Sequence, residues 1–252
     1  MDREQKMESN GNQKKTVVIF PGAWSRGTAE LWLAFVIKFF ERLNLRVVVM
    51  HYEGVTIEEM VLSCWVQIKS LGLPDGVLGV AYSMGGIPLR LLARDNPRLF
   101  SSVILLASTT RKGLPWRGYI KGVLSIPWEF IRGIFTGQVT LDCKRNVAKS
   151  FFNARDRYEP TIEPMARSLM DILRPEPISC CLGLIPLPFF HGDTGPMPCR
   201  AVAIVPRDDI LFAKSTFADD PQVMPMSING DHGSVLDEAW VNTALNCATI
   251  LI

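Results

Sequence analysis

The sequence predicts an α/β fold in which a mostly parallel sheet of about six strands is covered by helices on both faces. Three observations predict it. Short β-branched and apolar runs alternate with segments of helical periodicity, the runs are apolar at nearly every position, and 252 residues suffice for one core with an inserted lobe. Strands in a parallel sheet carry this near-continuous apolar pattern because neither of their faces meets water.

The first half of the core is predicted from two strands and two helices. Residues 16–20 form a buried strand, and residues 28–43 form a helix because their apolar side chains recur at helical spacing. Residues 45–50 form the second strand. Thr56 and Glu59 then make the capping-box signature of a second helix, so the order is strand, helix, strand, helix.

The second half continues the alternation. Its predicted strands are residues 77–82, 102–107, 200–205 and 222–228, and its predicted helices are residues 85–94 and 237–251. One stretch interrupts the pattern between the fourth and fifth strands. It is rich in proline and aromatic residues and too long for a structureless loop, so we expect a small helical cap, or lid, over residues 111–198. The core is then 16–110 with 199–252, behind a disordered tail at 1–15.

Composition and charge exclude several classes of protein. Lys and Arg number 27 against 25 for Asp and Glu, a net charge of +2, which gives no chain-wide reason to expect nucleic-acid binding. The six cysteines show no CxxC spacing and are predicted to be reduced core thiols. No apolar stretch approaches the roughly 20 residues of a membrane span, and the start of the chain lacks a secretory signal. We therefore expect a cytoplasmic protein.

Ser83 is the candidate nucleophile. The segment Gly79-Val80-Ala81-Tyr82-Ser83-Met84-Gly85-Gly86 runs from a predicted strand directly into a predicted helix. A serine on such a sharp turn projects its hydroxyl above the carboxyl edge of the sheet, provided that the residues two before and two after it are small. Ala81 and Gly85 meet that condition. The alternative is an ordinary strand-to-helix junction whose glycines serve only close packing.

The pentapeptide Ala81-Tyr82-Ser83-Met84-Gly85 resembles the G-x-S-x-G nucleophile elbow of the α/β-hydrolase family, with alanine replacing the first glycine. The resemblance covers the predicted core, and the cap matches in position only. It implies hydrolysis of a carboxylic ester or thioester through an acyl-serine intermediate, and it implies no metal or organic cofactor. The larger members carry two further antiparallel strands before the first strand, which the polar tail here is not expected to supply.

The resemblance also implies a base and an acid. Of the three histidines, His232 lies in a turn-rich loop between the last strand and the last helix, where the family places its catalytic histidine. The acid follows the fifth strand, where Asp208 and Asp209 are adjacent. Asp209 is preferred because it directly precedes a short apolar run, as the acid does in relatives, and Asp208 is the alternative. The loop Ser108-Thr109-Thr110 carries no carboxylate, so it offers no other acid.

Two backbone N–H groups are implied as the oxyanion hole. One belongs to Met84, which follows the nucleophile, and the other, by resemblance, to Ala23 in the loop after the first strand. Trp24 and Tyr82 stand beside these residues and are the candidate substrate contacts.

Sequence alone leaves the acceptor and the acyl group open. An acyltransferase would use the same groups, and a non-catalytic ligand-binding protein could keep the same fold. Residues 111–159 contain ten basic and four acidic side chains, which suggests steering of an anionic acyl donor such as an acyl carrier protein or a coenzyme A thioester. A solvated cap surface would show the same excess of charge.

Overall fold

The core of the molecule is a six-stranded sheet. The computed structural model describes residues 14–22, 29–53, 56–108, 140, 142, 196–209, 217 and 220–251. The strands, in chain order, are β1 (Thr16–Phe20), β2 (Arg46–Val49), β3 (Val77–Tyr82), β4 (Phe100–Leu106), β5 (Arg200–Pro206) and β6 (Val223–Ile228). They lie in the order β2-β1-β3-β4-β5-β6, and every neighbouring pair is parallel. The predicted fold class is confirmed.

Five helices accompany these strands in the described ranges. They are α1 (Ala29–Trp32), α2 (Ala34–Arg42), α3 (Ile57–Ser70), α4 (Gly86–Asp95) and α5 (Glu238–Leu251). Short 3₁₀ turns precede α4 and α5, at Ser83–Gly85 and His232–Leu236. The single helix predicted over residues 28–43 is wrong in detail, because the backbone of Leu33 leaves helical dihedrals between α1 and α2. The hydrogen bonds Leu33 N–H to Ala29 O (3.0 Å) and Ile37 N–H to Leu33 O (2.8 Å) continue across this residue, so the break is local.

The capping box predicted for the second helix is present at the start of α3. Thr56 Oγ1 accepts from the Glu59 N–H at 3.2 Å, and a Glu59 carboxylate oxygen accepts from the Thr56 N–H at 2.9 Å. These two bonds satisfy backbone donors that a helix leaves unpaired at its first turn. The local sequence therefore fixes where α3 begins.

The sheet separates two hydrophobic layers, because alternate residues of each strand face opposite sides. Val17 and Ile19 of β1 pack with α2 and α5, whereas Val18 and Phe20 pack with α3 and α4. Every strand contributes to both layers, as the continuous apolar runs require. Since all strands run the same way, the loops that follow them meet at one edge of the sheet, where ligands bind in open α/β sheets.

Candidate active site

The turn after β3 holds Ser83 in an unusual backbone conformation. Its φ is +51°, in the left-handed region that non-glycine residues seldom adopt. Ser83 is half-buried and begins the 3₁₀ turn that leads into α4. Such strain persists where the surrounding structure fixes it, and it is concentrated at functional sites.

Two glycines allow the end of β1 to approach this turn. A Cβ added to Gly85 would lie 2.6 Å from the Pro21 carbonyl oxygen and closer still to that of Phe20, and backbone atoms have no room to move aside. A Cβ on Gly22 would lie 3.0 Å from the Cβ of Ser83. Ala81, at the position where the elbow motif has its first glycine, is fully buried and accommodated in the layer beneath α3 and α4.

Ser83, His232 and Asp209 lie in a continuous chain of hydrogen bonds. The Ser83 Oγ is 3.0 Å from His232 Nε2, and His232 Nδ1 is 3.1 Å from Asp209 Oδ2. Both contacts are satisfied when Nδ1 carries the proton, because the ring then donates to the carboxylate and accepts from the hydroxyl. The His232 side chain is 3 % exposed, and that of Asp209 is fully buried. Asp208 is exposed, and its N–H donates to the Gly230 carbonyl.

The loop that carries His232 is fixed by its own hydrogen bonds. The Asp231 N–H donates to Ser234 Oγ at 2.8 Å, and the Ser234 hydroxyl donates to an Asp231 carboxylate oxygen at 3.2 Å. The Trp240 Nε1–H of α5 donates to the Asn229 carbonyl at 2.9 Å. The position of the imidazole therefore depends on α5 as well as on β6.

Tyr82 lies beneath the histidine. It is 3 % exposed, its hydroxyl donates to the His232 carbonyl at 3.0 Å, and the two rings are 5.3 Å apart. Burial, followed by the charges of Asp209 and Asp231, raises the pKa of Tyr82 well above its ordinary value. The hydroxyl therefore stays protonated and remains a donor.

Two further hydroxyls reach backbone carbonyls at this edge of the sheet. The Tyr52 hydroxyl donates to the Pro21 carbonyl at 2.8 Å, and the Ser108 hydroxyl donates to the Ser83 carbonyl. Sequence reasoning missed both residues. The only available signal was that each follows a predicted strand whose carboxyl end lies at this edge.

Of the predicted oxyanion-hole and substrate-contact residues, the structure describes Met84 and Tyr82. Met84 lies in the first turn after β3, where backbone N–H groups have no partner within the helix. Ala23 and Trp24 lie outside the described residues, as does nearly all of the predicted cap, 111–198.

The described ranges contain no group of three or more His, Cys, Asp or Glu side chains arranged to hold a metal ion. No helix within them is long and apolar enough to cross a bilayer.

Comparison with known proteins finds similarity in structure only. No family model and no curated protein matches the sequence. The structure of BpoC from Mycobacterium tuberculosis H37Rv matches with a TM-score of 0.70 and 19 % identity, over 95 % of this chain and 93 % of that one. A hydrolase from Oleispira antarctica matches with a TM-score of 0.70 and 16 % identity, over 94 % and 91 %. The enol-lactonase from Burkholderia xenovorans LB400 matches with a TM-score of 0.66 and 13 % identity, over 94 % and 92 %.

These matches extend over nearly the whole chain, with TM-scores of 0.70 for the first two structures. At such low identity they establish the architecture. The chain has the α/β-hydrolase fold.

Proposed function

We propose that the chain is a serine hydrolase that cleaves a carboxylic ester or thioester through an acyl-serine intermediate. The observation that carries the proposal is the hydrogen-bonded chain from Ser83 through His232 to Asp209, which begins on a residue with positive φ at the carboxyl edge of the sheet. The three groups stand in the order nucleophile, acid, base along the chain, which is the order of α/β-hydrolase triads.

In the proposed reaction, Ser83 Oγ attacks the acyl carbon while its proton passes to His232 Nε2. The Asp209 carboxylate stabilises the imidazolium that forms. When the tetrahedral intermediate collapses, the bond to the leaving group breaks and His232 returns the proton to it, leaving the acyl group on Ser83. Water then attacks the acyl-enzyme while its proton passes to His232 Nε2. When this second intermediate collapses, the bond between the acyl carbon and Ser83 Oγ breaks, His232 returns the proton to Oγ, and the carboxylic acid leaves.

The developing oxyanion needs donors that are already in place. We assign the Met84 N–H as one donor, because it follows the nucleophile at the start of a helical segment. The Ala23 N–H is proposed as the second donor. Ala23 directly follows Pro21, whose carbonyl accepts from the Tyr52 hydroxyl, and Gly22, which lies against Ser83.

The proposed substrates include any carboxylic ester or thioester. Two of the similar structures are named a hydrolase and an enol-lactonase, and a lactone is a cyclic ester. A cap over residues 111–198 and its basic first half remain proposals, as does an acyl carrier protein or coenzyme A thioester as donor. An acyltransferase would differ only in the acceptor that the cleft admits.

The proposal predicts covalent labelling of Ser83 by a fluorophosphonate. The full chain should label at this residue alone, because the reagent reacts with a serine activated by a neighbouring base. The same chain should hydrolyse p-nitrophenyl esters and release free acid from an acyl-coenzyme A. Mass spectrometry of the labelled peptide identifies the modified residue. Assays over a panel of p-nitrophenyl esters and acyl-coenzyme A thioesters of different chain lengths measure hydrolysis. A protein that stays unlabelled and hydrolyses no member of the panel would be a non-catalytic binding protein of the same fold.

Replacement of Tyr82 by phenylalanine should lower kcat about two- to tenfold and leave KM unchanged. The lost bond to the His232 carbonyl is a neutral hydrogen bond, worth about 0.5–1.5 kcal/mol. This variant separates a positioning role, which the burial of Tyr82 favours, from the substrate contact predicted by sequence. A rise in KM with constant kcat would favour substrate contact.

The same variant has a signature in alkaline stability. Because burial raises the folded-state pKa of Tyr82 well above its ordinary value of 10.0, the contribution of Tyr82 to stability is complete below that pH and is lost as the pH rises above it. Wild-type protein should therefore lose more free energy of unfolding above pH 10 than the phenylalanine variant does. Urea titrations at a series of pH values measure this difference.

A further inference from the structure

Ser108 is a buried hydroxyl that contacts the nucleophile turn from the neighbouring strand. It lies two residues after the end of β4 and is 1 % exposed, so it cannot itself reach a substrate. Its hydroxyl donates to the backbone carbonyl of Ser83. The proposed reaction described above gives this contact no role.

The carbonyl that Ser108 holds belongs to the same peptide group as the Met84 N–H. A trans peptide is planar, and its C=O and N–H point in opposite directions. The described residues contain no cis peptide. A donor that fixes the Ser83 carbonyl on one side therefore fixes the direction of the Met84 N–H on the other. It also polarises the peptide, which strengthens the N–H as a donor.

The backbone on both sides of this contact is strained. Ser83 has φ +51° and Ala107, directly before Ser108, has φ +43°. Neither is glycine, and such strained residues persist only where the surrounding structure holds them in place. The Ala107 N–H donates to the Ile204 carbonyl at 2.9 Å, which ties the Ser108 side of the contact to β5. The hydrogen bond thus joins two strained turns at the ends of adjacent strands.

We propose that Ser108 is a positioning residue of the oxyanion hole, which holds the Ser83–Met84 peptide so that the Met84 N–H faces the developing oxyanion. The inference rests on the proposed function, since it assigns Ser108 a part in that reaction. It differs from a general packing role because it predicts a loss in the chemical step with substrate binding unchanged.

The test compares Ser108→Ala with Ser108→Thr and with Ser101→Ala. Ser101 is a matched control, because its hydroxyl donates to a backbone carbonyl of the neighbouring strand as that of Ser108 does to the turn after it. Ser101 lies in β4 and bonds the Val77 carbonyl, at the opposite end of β3 from Ser83. Ser108→Ala should lower kcat for a p-nitrophenyl ester by about 10- to 100-fold, less than the ~10²- to 10³-fold cost of removing an oxyanion donor. KM and the apparent pKa of the pH–rate profile should not change, since His232 and Asp209 keep their contacts. Ser108→Thr, which keeps the hydroxyl, should recover most of kcat, and Ser101→Ala should match wild type.

Thermal unfolding of each variant shows whether it is folded under the assay conditions. If Ser108→Ala is not, Ser108→Cys replaces it, because a thiol has nearly the same size and donates only weakly. Undiminished kcat in the folded variant, or a loss confined to KM, would overturn the positioning role. A wild-type chain that labels at Ser83 while Ser108→Ala keeps full activity refutes this inference alone. A wild-type chain that neither labels nor hydrolyses refutes the proposed function and this inference together.

Discussion

Replacement of Ser83 by alanine is expected to lower kcat for an activated ester by on the order of 10⁶-fold, because no nucleophile remains for acyl transfer. The free energy of unfolding should change by less than about 0.5 kcal/mol, since Ser83 is half-buried and, within the described part of the chain, its Oγ contacts only His232. Steady-state assays and urea denaturation measure the two effects separately. More than about a tenth of wild-type turnover in a purified variant would remove Ser83 from the mechanism.

Ser83→Gly provides a second inactive variant that tests the strained backbone. Glycine adopts a φ of +51° without the penalty that a Cβ imposes. This variant should be as inactive as Ser83→Ala, and its free energy of unfolding should exceed that of Ser83→Ala by about 0.5–1 kcal/mol. Ser70→Ala serves as the control for serine replacement away from the site, because among the described residues its hydroxyl contacts only the Gln67 carbonyl on the surface of α3.

The second large effect is expected for Asp209. Asp209→Asn should lower kcat by as much as ~10⁴-fold, because an amide cannot hold the His232 tautomer in which Nδ1 carries the proton or stabilise the imidazolium. Asp208→Asn is the matched control: it makes the same chemical change at the adjacent, exposed residue and should retain nearly full activity. Comparable losses in the two variants, or a larger loss for Asp208→Asn, would leave the proposed acid without support.

The fold could be predicted because its signals are local. Each buried strand reads as a short apolar run, and the capping box of Thr56 and Glu59 marks the start of α3. The bounds differ from the predicted ones by one or two residues, for instance at β4, which begins at Phe100 instead of Ser102. The break at Leu33 was not predictable in this way, because apolar spacing is the same in one helix or in two that follow each other directly.

The parts of the candidate site that depend on the order of residues along the chain were predictable. The parts that depend on the direction in which a side chain points were less so. The resemblance to the α/β-hydrolase motif assigns Ser83, Asp209 and His232 by their places in the loops after β3, β5 and β6, and the structure brings their side chains together. Tyr82 was interpreted as a substrate contact because it adjoins the nucleophile, yet alternation along β3 places it on the same face as Val80, in the layer beneath α2 and α5. The contact between Ser108 and the Ser83 carbonyl depends on backbone turns that leave no pattern in the sequence.

The contacts of His232 join distant parts of the chain. Its bond to Ser83 closes a separation of 149 residues, and the bond from Tyr82 to its carbonyl closes one of 150. Contacts of such high sequence separation are costly in loop entropy and are typical of slow folding. During renaturation, strands β1 to β4 can pair before the histidine loop docks. If the chain has the proposed activity, recovery of ester hydrolysis is therefore a stricter criterion of complete refolding than recovery of the circular dichroism signal.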